Sequence, residues 1–148
     1  MPAEESSNSP FLNQKSSRQR ILVVDDDADA RHHNVKMLVC SGYDVEYATD
    51  GANAWEVLQE RHFDLVITDN TMPKMTGVEM IEKLRSSSMT VPVIMATGTM
   101  PNFEFARKPW LTPDVALIIP FSDDELLAAI QNILRKDDDD HDDSSPGA

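Results

Sequence analysis

The chain has 148 residues, 41% of them hydrophobic, and carries a formal net charge of -13, a size and composition that suit one domain with a single core. A polyanionic surface excludes direct docking on nucleic acid, which needs clustered lysine and arginine to displace counterions from phosphates. No apolar run approaches the roughly 18 residues that cross a bilayer, and the N-terminus lacks the charged-then-apolar order of a secretion signal. The lone Cys40 has no internal disulfide partner and reads as a small buried hydrophobe. A soluble, reducing, cytoplasmic setting without membrane contact is expected.

Residues 1–19 are rich in serine, asparagine, glutamine and charge, and read as a flexible arm. The folded unit is expected over 20–136. Residues 137–148 read as an acidic disordered tail, where six aspartates supply almost half of the net negative charge. Within the unit, strand-like and helical patterns alternate, which predicts βαβ units, a parallel sheet and helices on both faces. Ile21–Val24 is a first strand. Ala28–Ser41 follows as a helix with Val35, Leu38 and Val39 inward, and Gly42 caps its end. Tyr43–Tyr47 alternates as a second strand, Asp50 and Gly51 open a helix through Leu58, and Phe63–Thr68 is a third strand. Thr76 and Gly77 start a helix through Arg85, and Val91–Ala96 is the fourth strand. Pro101, Pro109 and Pro113 interrupt Met100–Asp114, so the helix there is expected to be short or broken. Val115–Ile119 is the fifth strand, and Ser122 with Glu125 forms a capping box for a last helix through Leu134.

In an open parallel sheet the carboxyl ends of the strands share one edge, where ligands bind. Asp25 and Asp26 follow the first strand, Asp69 the third and Thr97 the fourth. Adjacent carboxylates repel unless a cation offsets them, and three of them offer the all-oxygen donor set that suits Mg²⁺. A carboxylate attacking a phosphoryl group brings two anions together, which a divalent ion relieves. Asp69 is the candidate nucleophile. An acidic pair alone is a weak signal, because Asp25–Asp27 also fits the N-terminal turn of a helix.

Taken together the motifs resemble the receiver domain of two-component response regulators. The residues that carry the likeness are Ile21–Asp27, Phe63–Asp69 with Met72-Pro73-Lys74-Met75-Thr76-Gly77, Pro92–Gly98 and Pro120-Phe121, and it covers Gln19 to about Lys136. The resemblance implies a flavodoxin-like doubly wound sheet of five parallel strands in the order 2-1-3-4-5. It implies that Asp69 accepts a phosphoryl group from a sensor histidine kinase or histidine phosphotransfer protein. It matches Asp25 and Asp26 to the metal pair, the Thr71 backbone carbonyl to the third protein ligand, and Thr97 to the switch hydroxyl. The expectation is a stand-alone signalling receiver, not a turnover enzyme, that contacts a downstream protein target through its fourth helical segment, fifth strand and last helix.

Two positions depart from the family pattern. Ile119 stands where a lysine normally precedes Pro-Phe, and Ala116 where an aromatic switch residue is expected; Lys74 and Lys108 are the lysines near enough in sequence to consider as substitutes. These departures motivate an alternative, a pseudo-receiver that is never phosphorylated and serves in docking or dimerisation. A phosphohydrolase reading is weakened because Asn70-Thr71, and not an aspartate two residues on, follows Asp69. His32 and His33 read as surface residues, since metal sites need converging ligands. Trp55 is expected to pack on a helix face, Trp110 to anchor its loop or a partner, and the methionines from Met72 to Met100 to fill the core.

Overall fold

The computed structural model describes residues 18–144; most of the expected arm and the last residues of the expected tail lie outside them. Five strands form one parallel sheet in the order β2-β1-β3-β4-β5: β1 (Arg20–Val24), β2 (Asp44–Ala48), β3 (Leu65–Thr68), β4 (Val93–Thr97) and β5 (Val115–Ile118). The helices are α1 (Ala28–Cys40), α2 (Gly51–Glu60), α3 (Gly77–Ser86), α4 (Asn102–Arg107) and α5 (Asp123–Ser144), with a 3₁₀ turn at Pro109–Leu111. The expected doubly wound, flavodoxin-like sheet is therefore present.

Successive side chains of a strand point to opposite faces, and the central strands are apolar except at one end, Arg20 of β1, Thr68 of β3 and Thr97 of β4, because both faces are covered. Leu22, Val24, Val66, Val93 and Met95 enter one core with Ala54 and Leu58 of α2 and Met80, Ile81 and Leu84 of α3. Ile21, Val23, Leu65, Ile67 and Ile94 enter the other with Leu38 of α1 and Leu126, Ile130 and Leu134 of α5. The expected methionine role holds for Met72, Met80 and Met95, which are buried.

Helix ends follow local chemistry. The Glu79 N–H donates to Thr76 Oγ1 at 3.1 Å while Glu79 Oε1 accepts from the Thr76 N–H at 2.8 Å, a reciprocal cap for α3. Ser122 and Glu125 repeat this at α5, at 3.1 and 2.7 Å. Gly42 follows α1 with φ +99°, a left-handed conformation that glycine adopts without steric cost.

Three details differ from the sequence expectations. Val39 is 53% exposed, because the buried stripe of α1 runs through Arg31, Val35 and Leu38, at i, i+4 and i+7. Cys40 is exposed, being the last residue of α1, one position further from that stripe. The backbone of α5 continues through Asp137–Ser144, where a disordered tail was expected; no proline or glycine interrupts the chain until Pro146, so nothing in its backbone chemistry stops the helix. The fourth segment is short, as three prolines require, and its consequence lies on β5. Val115 and Leu117 pack toward α5, whereas Ala116 and Ile118 are exposed on the other face.

Replacing Leu84, which is fully buried, should test the load on the larger core. Leu84→Ala is expected to cost roughly 2–5 kcal/mol, whereas Val39→Ala should stay within about 0.5 kcal/mol, both read from urea denaturation midpoints.

Candidate functional site

The register of the sheet assembles the site. Val24 lies beside Thr68, so the residues that follow them, Asp25 and Asp69, leave the sheet side by side. The Asp69 N–H donates to the Val24 carbonyl at 3.2 Å, and the Asp25 N–H to the Ala48 carbonyl at 3.2 Å. The end of β1 is thereby tied to both neighbouring strands. Carboxylate oxygens of Asp25, Asp26 and Asp69 all lie within 4.8 Å of one another. The three predicted acids are brought together, and their all-oxygen donor set fits a hard divalent cation.

Asp69 uses its two oxygens differently. Oδ1 accepts from the Asn70 N–H at 2.6 Å and the Thr71 N–H at 3.4 Å, while Oδ2 has no hydrogen bond among the described residues. Thr71 itself is exposed in the loop after Asp69. Thr97 is 1% exposed, and its hydroxyl exchanges two long contacts with Thr99: it donates to the Thr99 carbonyl and accepts from the Thr99 N–H, each at 3.4 Å. Such distances mark weak bonds.

Burial raises the Asp25 carboxyl above its usual pKa of 3.8, and the neighbouring Asp69, Asp26 and Asp27 carboxylates push it the same way. The Asp27 N–H, 3.0 Å from Asp25 Oδ1, opposes them by favouring the anion. Among the described residues no lysine or arginine lies within 4.0 Å of the three carboxylates. Lys74 instead approaches Asp50 at 3.9 Å, and Lys108 pairs with Glu82 at 3.3 Å. Neither lysine stands in for the missing one. Ile119 is 47% exposed, with its N–H on the Thr97 carbonyl at 3.0 Å.

Several contributors were not evident from the sequence. A Cβ on Gly77 would sit 2.5 Å from the Asp69 carbonyl oxygen and 3.1 Å from Asn70 Cα, so this glycine lets α3 close onto the backbone of the candidate nucleophile, beyond starting a helix. Asn70 bridges the same junction: its side-chain oxygen accepts from the Val78 N–H and its carbonyl from the Gly77 N–H, both at 3.0 Å. Met72, buried, anchors the intervening loop in the core. Arg31 is also buried, with its Nη1 on the Asp25 carbonyl at 2.9 Å. Its helical spacing with Val35 and Leu38 was a signal, but its charge masked it. His32 and His33 are exposed as expected, His33 sharing a 2.8 Å contact with Asp123. Trp55 packs against the core under Lys83, and Trp110 is 62% exposed.

A flavodoxin-like sheet with paired acids at its carboxyl edge is the architecture of signalling receiver domains, and comparison with known proteins shows the family. The model of the response regulator receiver domain matches residues 21–131, and the chain belongs to that family. It is 36% identical over 121 residues to the probable transcriptional regulator ycf27 of Porphyridium aerugineum, covering 82% of this chain and 50% of that protein. The chain spans about half the length of the curated relatives it matches. Among solved structures, the chemotaxis protein CheY4 of Vibrio cholerae is 30% identical with a TM-score of 0.72, over 79% of this chain and 99% of that one. The response regulator TrrA of Thermotoga maritima, solved in complex with Mg(2+)-BeF, is 28% identical with a TM-score of 0.69, over 78% and 98%.

The raised Asp25 carboxyl has a measurable consequence. Between the unfolded value near 3.8 and the higher folded value, the unfolded chain gives up its proton first, so the wild type loses stability as pH rises through that window. With divalent ions chelated, Asp25→Asn should therefore be more stable than wild type at neutral pH. The difference should close below the unfolded value, where both forms are uncharged, as read by urea denaturation at the two pH values.

Proposed function

We propose that this chain is a phosphoacceptor receiver of a two-component phosphorelay, phosphorylated on Asp69 by the phosphohistidine of a sensor histidine kinase or a histidine phosphotransfer protein. Its phosphorylated form acts by protein contact on a downstream target, in the cytoplasm. The observation that carries this reading is the convergence of three carboxylates at the ends of β1 and β3, with Asp69 Oδ2 free of hydrogen bonds among the described residues. Backbone donors hold Oδ1, which fixes the orientation of the carboxylate. Oδ2 is left as the attacking atom. As its bond to phosphorus forms, the phosphorus–nitrogen bond of the donor breaks and its electron pair returns to the imidazole ring.

The Asp25, Asp26 and Asp69 carboxylates and the Thr71 carbonyl would hold Mg²⁺, in keeping with the Mg(2+)-BeF complex named for TrrA. When bound, Mg²⁺ supplies the positive charge that offsets repulsion between a carboxylate and phosphoryl oxygens. Thr97 is the switch hydroxyl, since its two contacts with Thr99 are long enough to be exchanged for a phosphoryl oxygen at little cost. Ala116 and Ile119 make this a receiver with a reduced structural response, because a ligand shifts an equilibrium only through interactions that differ between the two states. Without an ammonium at position 119, those differences fall to Thr97 and the metal.

One observation favours a second reading. No basic side chain among the described residues pairs with the acidic cluster, and Ile119 occupies the end of β5, as a pseudo-receiver used only for docking or dimerisation would allow. Incubation with Mg²⁺ and a small phosphodonor separates the two. Intact mass should gain one phosphoryl group in wild type and none in Asp69→Ala; an unmodified wild-type mass beside a receiver that reacts in the same tube supports the pseudo-receiver.

Restoring the cation tests the switching claim separately. Ile119→Lys should enlarge the phosphorylation-dependent amide shifts over Met100–Phe121, at a stability cost of about 1 kcal/mol or less, since the site is half exposed. A large wild-type rearrangement to which lysine adds nothing would contradict it.

A further inference from the structure

Arg31 is 9% exposed, an unusual position for a guanidinium that joins no carboxylate. Its Nη1 donates to the Asp25 carbonyl at 2.9 Å, and its guanidinium carbon lies 5.1 Å from the centroid of the Tyr47 ring. Its Nε is buried with no hydrogen-bond partner among the described residues. Burying a charged group so incompletely satisfied is costly, and a structural arginine on this face could be replaced by an aliphatic residue of similar length. The main chain of the same residue makes a second link, because the Arg31 N–H donates to the Asp27 carbonyl at 2.9 Å. One residue therefore grips the Asp25-Asp26-Asp27 turn at both ends, by side chain and by backbone. Between those two grips lies one of the three converging carboxylates, Asp26, and a second, Asp25, belongs to the residue whose carbonyl is gripped.

We propose that Arg31 is a positioning residue for divalent-ion binding: its guanidinium, stacked on Tyr47, holds the Asp25 carbonyl and so sets the spacing of the Asp25 and Asp26 carboxylates toward Asp69. This rests on the Mg²⁺ reading above and adds a residue to it. Two effects of Arg31 on the ion oppose one another. A fixed cation repels a second cation, which would make Mg²⁺ bind more tightly when Arg31 is lost. A fixed turn keeps the ligands preorganised, so its loss would make Mg²⁺ bind more weakly. The buried hydrogen bond acts at the ligand's own backbone, whereas the charge is separated from the carboxylates by that peptide, and the geometric effect dominates. Tyr47 on β2 then becomes part of the outer shell of the site, coupled to it through the guanidinium plane.

The test is Mg²⁺ titration of the full chain, without phosphodonor, followed by amide and Tyr47 ring resonances. Arg31→Met keeps the apolar stem and removes the donor and the charge, and it should weaken Mg²⁺ binding about tenfold, the lower range for loss of an outer-shell partner. Arg31→Lys keeps charge and one donor but not the stacked plane, and should fall between methionine and wild type. Leu134→Ala, a buried change in the middle of α5, should lower stability and leave the affinity of the folded protein unchanged. Mg²⁺ should move the Tyr47 ring resonances in wild type and not in Arg31→Met. Unchanged or tighter binding by Arg31→Met, while wild type binds, overturns the positioning role and leaves the metal reading intact. If the methionine variant does not fold, Arg31→Lys and Tyr47→Leu decide the matter, and wild-type affinity in both overturns it. Absence of Mg²⁺-dependent shifts in wild type defeats the metal reading itself, and the proposal with it.

Discussion

Three carboxylates within 4.8 Å of one another are the constraint on which the rest of the structure depends. At an effective dielectric near 20, two full charges at that spacing repel by about 3–4 kcal/mol, a large fraction of the stability of an ordinary domain. Nothing in the acids themselves brings them together. The pairing of β1 with β3 does, because Val24 and Thr68 are partners in the ladder and the next residue on each strand is an aspartate. Two well-packed cores, one on each face of the sheet, supply the stability that tolerates this local repulsion. The cluster is then a place where a cation is favoured before any phosphate arrives.

The backbone around the cluster is held as firmly as the side chains. Asp25 is tied to β2, Asp69 to β1, and the loop after Asp69 is closed by Asn70, Gly77 and buried Met72. Helix α1 contributes from the side through Arg31. The hydrogen bonds among these contacts end on peptide groups, and Asp69 Oδ2 is left without a hydrogen bond among the described residues. A site organised in this way keeps its frame independent of its side-chain oxygens.

The opposite edge of the sheet is less completely covered. Three prolines shorten α4 to six residues, and it packs with the 3₁₀ turn instead of lying across β5. Ala116 and Ile118 are left exposed, and Phe103 and Trp110 in the neighbouring segment are exposed as well. Ala116 and Ile119 thus occur on or beside a sparsely covered strand. Thr97, at the end of β4, is joined to the residue after that strand by the hydrogen bond from the Ile119 N–H to its carbonyl.

The sequence by itself determined the architecture, because apolar strands that end on aspartate or threonine and alternate with capped helices allow few arrangements other than a doubly wound parallel sheet. It also named the three acids that the fold brings together, since their places at strand ends depend on residue type and order along the chain. Only the tertiary structure decided what the backbone does between them. Local periodicity marked Val39 as inward, but the packing of α1 on β1 and β2 gave that side of the stripe to Arg31. Gly77 looked like a helix start, yet its lack of a Cβ matters because Asp69, eight residues earlier, closes onto it. Lys74 and Lys108 were available by proximity in sequence, and the fold paired them with Asp50 and Glu82 instead. Such facts depend on the separation of atoms brought together by folding, which residue order constrains but does not specify.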